Sequence, residues 1–454
     1  MPPSERRAAP ALRMGPRMSD PEAVMWAAER DPVLRSSFLN VIICDKPLDI
    51  QRFRRRLALV VDAVPRLRQR VVVTPLGPPS WREDRDFDLS HHVRHVALAP
   101  PGSDRQLLEL AGDLFEDAFD PARPLWTFLV VEGLSGGRGA LVSKLHHTIT
   151  DGVGGVRLSA LWVDRSPDDD QPALPVALPT AVADDGGPTG PVAVLAELVG
   201  RQLEAAGAAA TLARHTVTDP LTAVRAVGSL VQLDQARSPL WRRRGVRRRL
   251  EALSFDLDEV KLAAKRLGGT VNDLFVCALS DAAGAYHRNR CADISDLRMA
   301  MPVSTRRERT AGGNDFVPTR VPVPCGELAP EARFALVHDR LAQVREGPPG
   351  LFAAGAAALS VLPAPLVTRL ARQQAGTVDF AASNVRGAPF DLWIAGARIL
   401  HNHAMGPTAG TAFNATVLST AGALDLGLCC DPAAVLDPAE LRDRIDTAFS
   451  TLLG

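Results

Sequence analysis

The sequence predicts an α/β (α+β) protein of two domains, and three observations carry that prediction. At 454 residues the chain is longer than one hydrophobic core usually organises. β-branched and apolar runs alternate with helix-spaced segments along most of its length. Between two such regions, residues 166–192 read "SPDDDQPALPVALPTAVADDGGPTGPV", and this density of Pro, Asp and Gly is that of a linker.

In chain order, residues 1–17 carry basic side chains but no apolar run of signal-peptide length, so they read as a disordered leader. An N-terminal domain is expected over 18–165, with "FLNVIICD", "TFLVVEGL" and "GALVSKLHHTI" as strands and "DIQRFRRRLALVVDAV" as a helix. A linker containing alanine-rich amphipathic helices spans 166–236. The C-terminal domain, 237–454, has "DEVKLAAKRLG", "TVNDLFVCALSDAAGAYHR" and "PEARFALVHDRLAQV" as helices. Its expected strands include "LRMAMPVS", "RVPVPC" and "ATVLSTAGALDLGLCCD". The most apolar long stretch, "GLFAAGAAALSVLPAPLVTRLA" (350–371), is broken by Pro363 and Pro365. That argues against a spanning helix and leaves a buried helix pair or a face lying on a membrane. No short-period repeat is present, which excludes solenoids and propellers.

Charge and cysteine content narrow the function class. Lys+Arg and Asp+Glu each total 52, so no overall field recruits nucleic acid. The six cysteines lack paired CxxC spacing, and Cys429 and Cys430 sit together in an apolar run. Buried thiols and a reducing, cytoplasmic compartment fit that pattern.

The stretch "SKLHHTITDGVGG" (143–155) concentrates the chemistry. It closes a strand-like run and leads through a tight turn towards a helix. Neighbouring strand residues point to opposite faces, so His146 and His147 cannot do the same job. One can face a cleft while the other points into the body. Asp151 can bind backbone or an arginine and hold the turn, and Gly152, Gly154 and Gly155 permit close backbone approach. This geometry suits one neutral imidazole acting as a general base. A metal site would draw on His146, His147 and Asp151, but adjacent strand histidines diverge and no HExxH pattern lies nearby, so no metal is expected. Two polar residues at a strand end, without chemistry, are the plain alternative.

The segment "HHTITDG" matches the HHxxxDG signature of the CoA-dependent acyltransferase superfamily, and the chain resembles its wax ester synthase/diacylglycerol acyltransferase family. "PRLRQRVV" (65–72), "RPLW" (123–126), "GGTVNDLFVCAL" (268–279), "MPVSTR" (301–306), "GNDFVP" (313–318), "SNVRG" (383–387) and "IAGARI" (394–399) stand in the family's order. The resemblance covers nearly the whole chain from Met18. It implies two chloramphenicol-acetyltransferase-like domains facing each other across a substrate tunnel. His147 is then the catalytic base and His146 packs behind it. Asp151 and Gly152 hold the turn, Arg306 is the implied partner of Asp151, and Asp273 gives further support. Asn272 is either a donor to the developing oxyanion or, with Asp273, an N-cap. Pro124, Leu125, Trp126, Ser383 and Asn384 are the implied substrate-contacting residues, with an ordinary core role open for Trp126.

The implied reaction moves a long-chain acyl group from acyl-CoA to an alcohol or diacylglycerol hydroxyl. It needs no cofactor beyond acyl-CoA as co-substrate. The implied partners are acyl-CoA, the acceptor lipid and a lipid surface or droplet, with no nucleic acid, and the implied location is cytoplasmic with peripheral membrane association. The run "RRRGVRRR" (242–249) lacks interleaved aromatics, so it reads as a solvated face or as a site for CoA phosphates or anionic lipid. Other acceptors (a polyketide or glycolipid hydroxyl), a carrier-protein donor and a non-catalytic lipid-binding relative remain as alternatives. Two departures bear on the acceptor. The chain reads "RDPVLRSSFLNV" where the family carries a Pro-Met-His-like step, and "VLSTAG" where many members carry Ser-Tyr.

Overall fold

The computed structural model describes residues 13–14, 17–73, 79–150, 152–169, 180–181, 235–304, 316–345 and 362–454. The first half forms β1 (Arg13–Met14), α1 (Asp20–Ala28), β2 (Ser37–Cys44), α2 (Ile50–Ala63), β3 (Gln69–Val72), β4 (Ser80–Glu83), α3 (Leu89–His92), β5 (Val93–Ala97), α4 (Asp104–Glu116), β6 (Trp126–Glu132), β7 (Gly139–His146), α5 (Gly152–Ser159) and β8 (Thr180–Ala181). The second half supplies β9 (Arg249–Asp256), α6 (Leu257–Arg266), α7 (Val271–Arg288), β10 (Asp296–Ser304), β11 (Phe316–Pro324), α8 (Pro330–Arg345), α9 (Ala364–Ala375), β12 (Phe380–Arg386), β13 (Trp393–Ile394), β14 (Ala397–Met405), β15 (Phe413–Thr420), β16 (Ala423–Cys430) and α10 (Pro438–Leu453).

Local sequence explains the helix starts. Asp49 accepts from the backbone N–H groups of Gln51 and Arg52, and Asp256 does the same for Asp258 and Glu259. Ser103 with Gln106, and Thr270 with Asp273, form capping boxes. Each places a short polar acceptor just before an apolar-periodic run.

Two six-stranded sheets carry the fold, ordered β13-β14-β2-β7-β6-β5 and β11-β10-β12-β15-β16-β9. β7 lies between β2 and β6, and all its residues are buried. Leu141 and Leu145 face a core with Phe53, Leu57 and Phe128, while Ala140 and Val142 face one with Leu39, Val41 and Leu107. Both faces of the strand are therefore covered, and its signature end is held rigidly. In the second half α7 is buried all round, with Leu274, Phe275, Val276, Cys277, Ala278 and Leu279 at 0–1% exposure. Cys429 and Cys430 are free and fully buried.

The division at 237 describes chain order but not the sheets. β13 and β14 come from the second half of the chain yet belong to the first sheet, where β14 pairs antiparallel with β2. α9 packs on α1: Thr368 Oγ1 donates to the Ala27 carbonyl at 2.8 Å, and Arg372 pairs with Asp31 at 2.8 Å. The two halves are interlocked by a strand and a helix. Arg13–Met14, inside the segment expected to be disordered, pairs in parallel with Thr180–Ala181, because main-chain pairing needs no apolar content. Residues 1–12 and 15–16 of the leader, the helices expected near 193–234 and the first part of 350–371 lie outside the described residues.

Candidate active site

The end of β7 is fastened from both edges. The His146 N–H donates to the Leu125 carbonyl at 3.0 Å, and the His147 N–H donates to the Ser36 carbonyl at 2.9 Å. Successive strand amides point opposite ways, so both neighbours are used. The His146 ring is 0% exposed. Its Nδ1 accepts from the Thr148 backbone N–H at 3.1 Å, which places the ring proton on Nε2. Nε2 lies 2.8 Å from the Glu29 carboxylate. Burial pushes the Glu29 carboxyl up, but the facing His146 imidazole and the Ser36 amide hold it below its ordinary value. Trp26 and Phe119 close the pocket edge-on, with ring centroids 6.0 and 6.3 Å from that of His146.

His147 has a different environment. Its ring is part-exposed and tilted against Phe38, with centroids 4.9 Å apart. Burial first, and then the neighbouring His146 imidazole, push its pKa down to about 4. At neutral pH the imidazole is unprotonated and has a lone pair to offer. Gly152 opens α5, which leads away from the motif and lies against β12 of the second sheet. Asp151 and Arg306, the expected ion pair, lie outside the described residues.

On the second sheet's side, Asn272 is not an N-cap. Thr270 takes that position, and its capping box uses Asp273. Asp273 is 0% exposed; it accepts from the Thr270 N–H at 2.9 Å and lies 2.9 Å from His338 Nδ1. Asn272 is thereby released from capping. Its Oδ1 accepts from Asn384 Nδ2 at 3.3 Å, so the structure brings together two residues from separate motifs. Ser383, the neighbour of Asn384 on β12, is part-exposed.

The sequence pattern of the wax ester synthase/diacylglycerol acyltransferase catalytic domain matches residues 18–275, and that of the family's C-terminal domain matches 312–453. A Mycobacterium tuberculosis protein named as a putative diacylglycerol O-acyltransferase is 33% identical, over 97% of this chain and 93% of its own. The chain belongs to the wax ester synthase/diacylglycerol acyltransferase family. A second M. tuberculosis relative, named as the diacylglycerol O-acyltransferase tgs1, is 29% identical over 89% of this chain and 88% of its own. The solved wax ester synthase/diacylglycerol acyltransferase of Marinobacter aquaeolei superposes with a TM-score of 0.67 at 20% identity, covering 96% of this chain and 98% of the other. A condensation domain of the calcium-dependent antibiotic synthetase gives 0.61 at 16% identity, covering 98% and 96%. Both likenesses concern the fold, and the protein is an O-acyltransferase by its family.

Within the acyltransferase, "RPLW" supports the histidine strand from behind. Pro124, Leu125 and Trp126 are buried. Trp126 is 1% exposed, its indole N–H donates to the Leu67 carbonyl at 2.8 Å, and its ring stacks on His92 with centroids 4.4 Å apart. The tryptophan considered for a channel wall is a core residue, because its one polar atom is already spent inside. Glu29 is the site residue that sequence reasoning missed: nothing in "WAAERDP" marks it as a partner for His146.

Proposed function

We propose that His147 is the general base for transfer of a long-chain acyl group from CoA to the hydroxyl of an alcohol or diacylglycerol. The observation that carries this reading is a neutral, part-exposed imidazole mounted on a fully buried His146 that faces Glu29. His147 takes the hydroxyl proton as the oxygen attacks the thioester carbon. The tetrahedral oxyanion collapses, the carbon–sulfur bond breaks, and the proton passes to the leaving thiolate. A preactivated thioester requires no enzyme nucleophile. Asn272, oriented by Asn384, is suited to donate its amide N–H to the oxyanion.

The pH profile tests the base. A histidine depressed from 6.5 to about 4 stays neutral, and therefore active, well below its ordinary midpoint. The free-enzyme kcat/KM should be level from pH 7 to about pH 5.5 and fall as pH approaches 4. The unfolded chain protonates this group from 6.5 downward while the folded one does not, so stability also declines with falling pH across that window. An acid limb centred at 6.5 or above contradicts the assignment.

We further propose peripheral binding to an anionic lipid surface. Among the described residues no helix is long and apolar enough to cross a membrane. The arginine run is not one solvated face. Arg244 donates to the Gly410 carbonyl at 2.6 Å, Arg249 pairs with Glu109 and Glu251, and the Arg248 N–H donates to Glu116. Arg242, Arg243 and Arg247 are exposed, the last with a 3.8 Å contact to Glu116, and these are the ones available to a surface. In vesicle co-sedimentation at low salt, changing these three together to Gln should weaken binding to anionic vesicles several-fold. Equal binding by the variant, or none by the parent protein, removes the proposal.

A further inference from the structure

His401 and His403 stand two residues apart on β14, so their side chains share one face, the opposite arrangement from the adjacent and diverging His146 and His147. Asp425 approaches that face from β16 of the other sheet. One ligand atom from each of the three lies within 4.8 Å of the other two. Asp425 is 0% exposed, and its Oδ2 accepts the Asn402 N–H at 2.7 Å. Its Oδ1 accepts from Ser254 Oγ at 2.6 Å and lies 3.1 Å from His401 Nδ1.

This is not a serine nucleophile with its relay. Ser254 Oγ lies 3.1 Å from His401 Nδ1, the same nitrogen that faces Asp425, whereas a relay needs serine and carboxylate on opposite ring nitrogens. Nor is it a fully satisfied polar clip. His403 is 5% exposed, the Leu426 backbone lies within hydrogen-bonding reach of its ring, and among the described residues its Nδ1 makes no aligned hydrogen bond. A buried imidazole nitrogen left in that state is costly unless something else meets it.

We propose that His401, His403 and Asp425 bind one divalent transition-metal cation, with Zn²⁺ as the best match. Two imidazole nitrogens and one carboxylate oxygen are its characteristic ligands, and three protein ligands leave a fourth tetrahedral position. Ser254 Oγ or water reaching the half-exposed side of His401 can fill that position. The ion joins β14, which belongs to the first sheet, to β16 of the second. Its role is to fasten the two halves where the chain crosses between them. The expectation that the protein holds no metal was argued from the diverging pair at 146–147, and a cation held by His401, His403 and Asp425 would overturn it.

The test uses full-length protein, stripped with chelator and titrated with ZnCl₂ by calorimetry and thermal unfolding. The wild type should bind one equivalent, and its unfolding midpoint should rise by roughly 2–4 °C. His401→Ala, at a part-exposed position the fold tolerates, and His403→Ala should each weaken binding by roughly ten-fold or more. His147→Ala should bind as the wild type does. The proposal is overturned if the wild type binds no Zn²⁺, or if His401→Ala binds it equally well. Loss of binding in His147→Ala also overturns it, by moving the site to the signature pair. If His403→Ala proves unfolded by circular dichroism, His401→Ala decides alone.

Discussion

Replacing His147 by alanine is expected to lower kcat by roughly 10²–10⁴-fold, the range that removal of a positioned base produces. Unfolding stability should change by less than about 1 kcal/mol, because the ring is part-exposed at a strand end beside Phe38. The effect should fall on kcat rather than KM, since the proton is taken only as the bond forms. His146→Ala is the contrasting control. That ring is fully buried against Glu29, Trp26 and Phe119, so its loss opens a buried cavity and takes from the half-buried Glu29 carboxylate its facing partner. The expected cost is about 2–3 kcal/mol of stability, with lowered activity. A measured decrease of kcat under ten-fold in His147→Ala, with CoA release as the readout, ends the base assignment. The reverse pattern, with His146 essential and His147 dispensable, would invert the roles.

The second large effect concerns the crossing strand. A Cβ added at Gly427 on β16 would stand 2.2 Å from the Ala404 carbonyl oxygen on β14 and 2.8 Å from its carbon. Both atoms are backbone, held in the first sheet by pairing with β2, and cannot swing aside as a side chain would. Gly427→Ala should therefore cost about 3 kcal/mol, the upper end of ordinary overpacking, read as a lower urea midpoint. A change within about 0.5 kcal/mol would mean that β14 and β16 do not meet at this point.

Local signals were the legible part. The helices at Leu257–Arg266 and Val271–Arg288 announce themselves by caps and apolar spacing, and both, like Pro330–Arg345, lie where the sequence puts them. β7 and its histidines were readable for the same reason, an apolar run ending in a polar pair. β12 and β14 were not read as strands, because polar residues interrupt the apolar pattern at three of the seven positions of "FAASNVR" and four of the nine of "ARILHNHAM". The crossing of β14 into the first sheet depends on contacts far apart in sequence, which no local pattern encodes. Asn272 was open between two roles, and Thr270 resolved the capping side because its hydroxyl stands nearer the helix start. Glu29 became visible only once the fold placed α1 beside β7. The HxH spacing at 401 and 403 was legible in principle, since alternation on a strand puts both rings on one face.

The central claim is acyl transfer to a lipid hydroxyl through His147. Its most direct test incubates the purified full-length protein with radiolabelled long-chain acyl-CoA and a long-chain alcohol, diacylglycerol or no acceptor, and separates the products by thin-layer chromatography. The account predicts labelled wax ester or triacylglycerol only in the lanes with acceptor, and its loss in His147→Ala. Free fatty acid alone in every lane, or ester formed undiminished by His147→Ala, would contradict it.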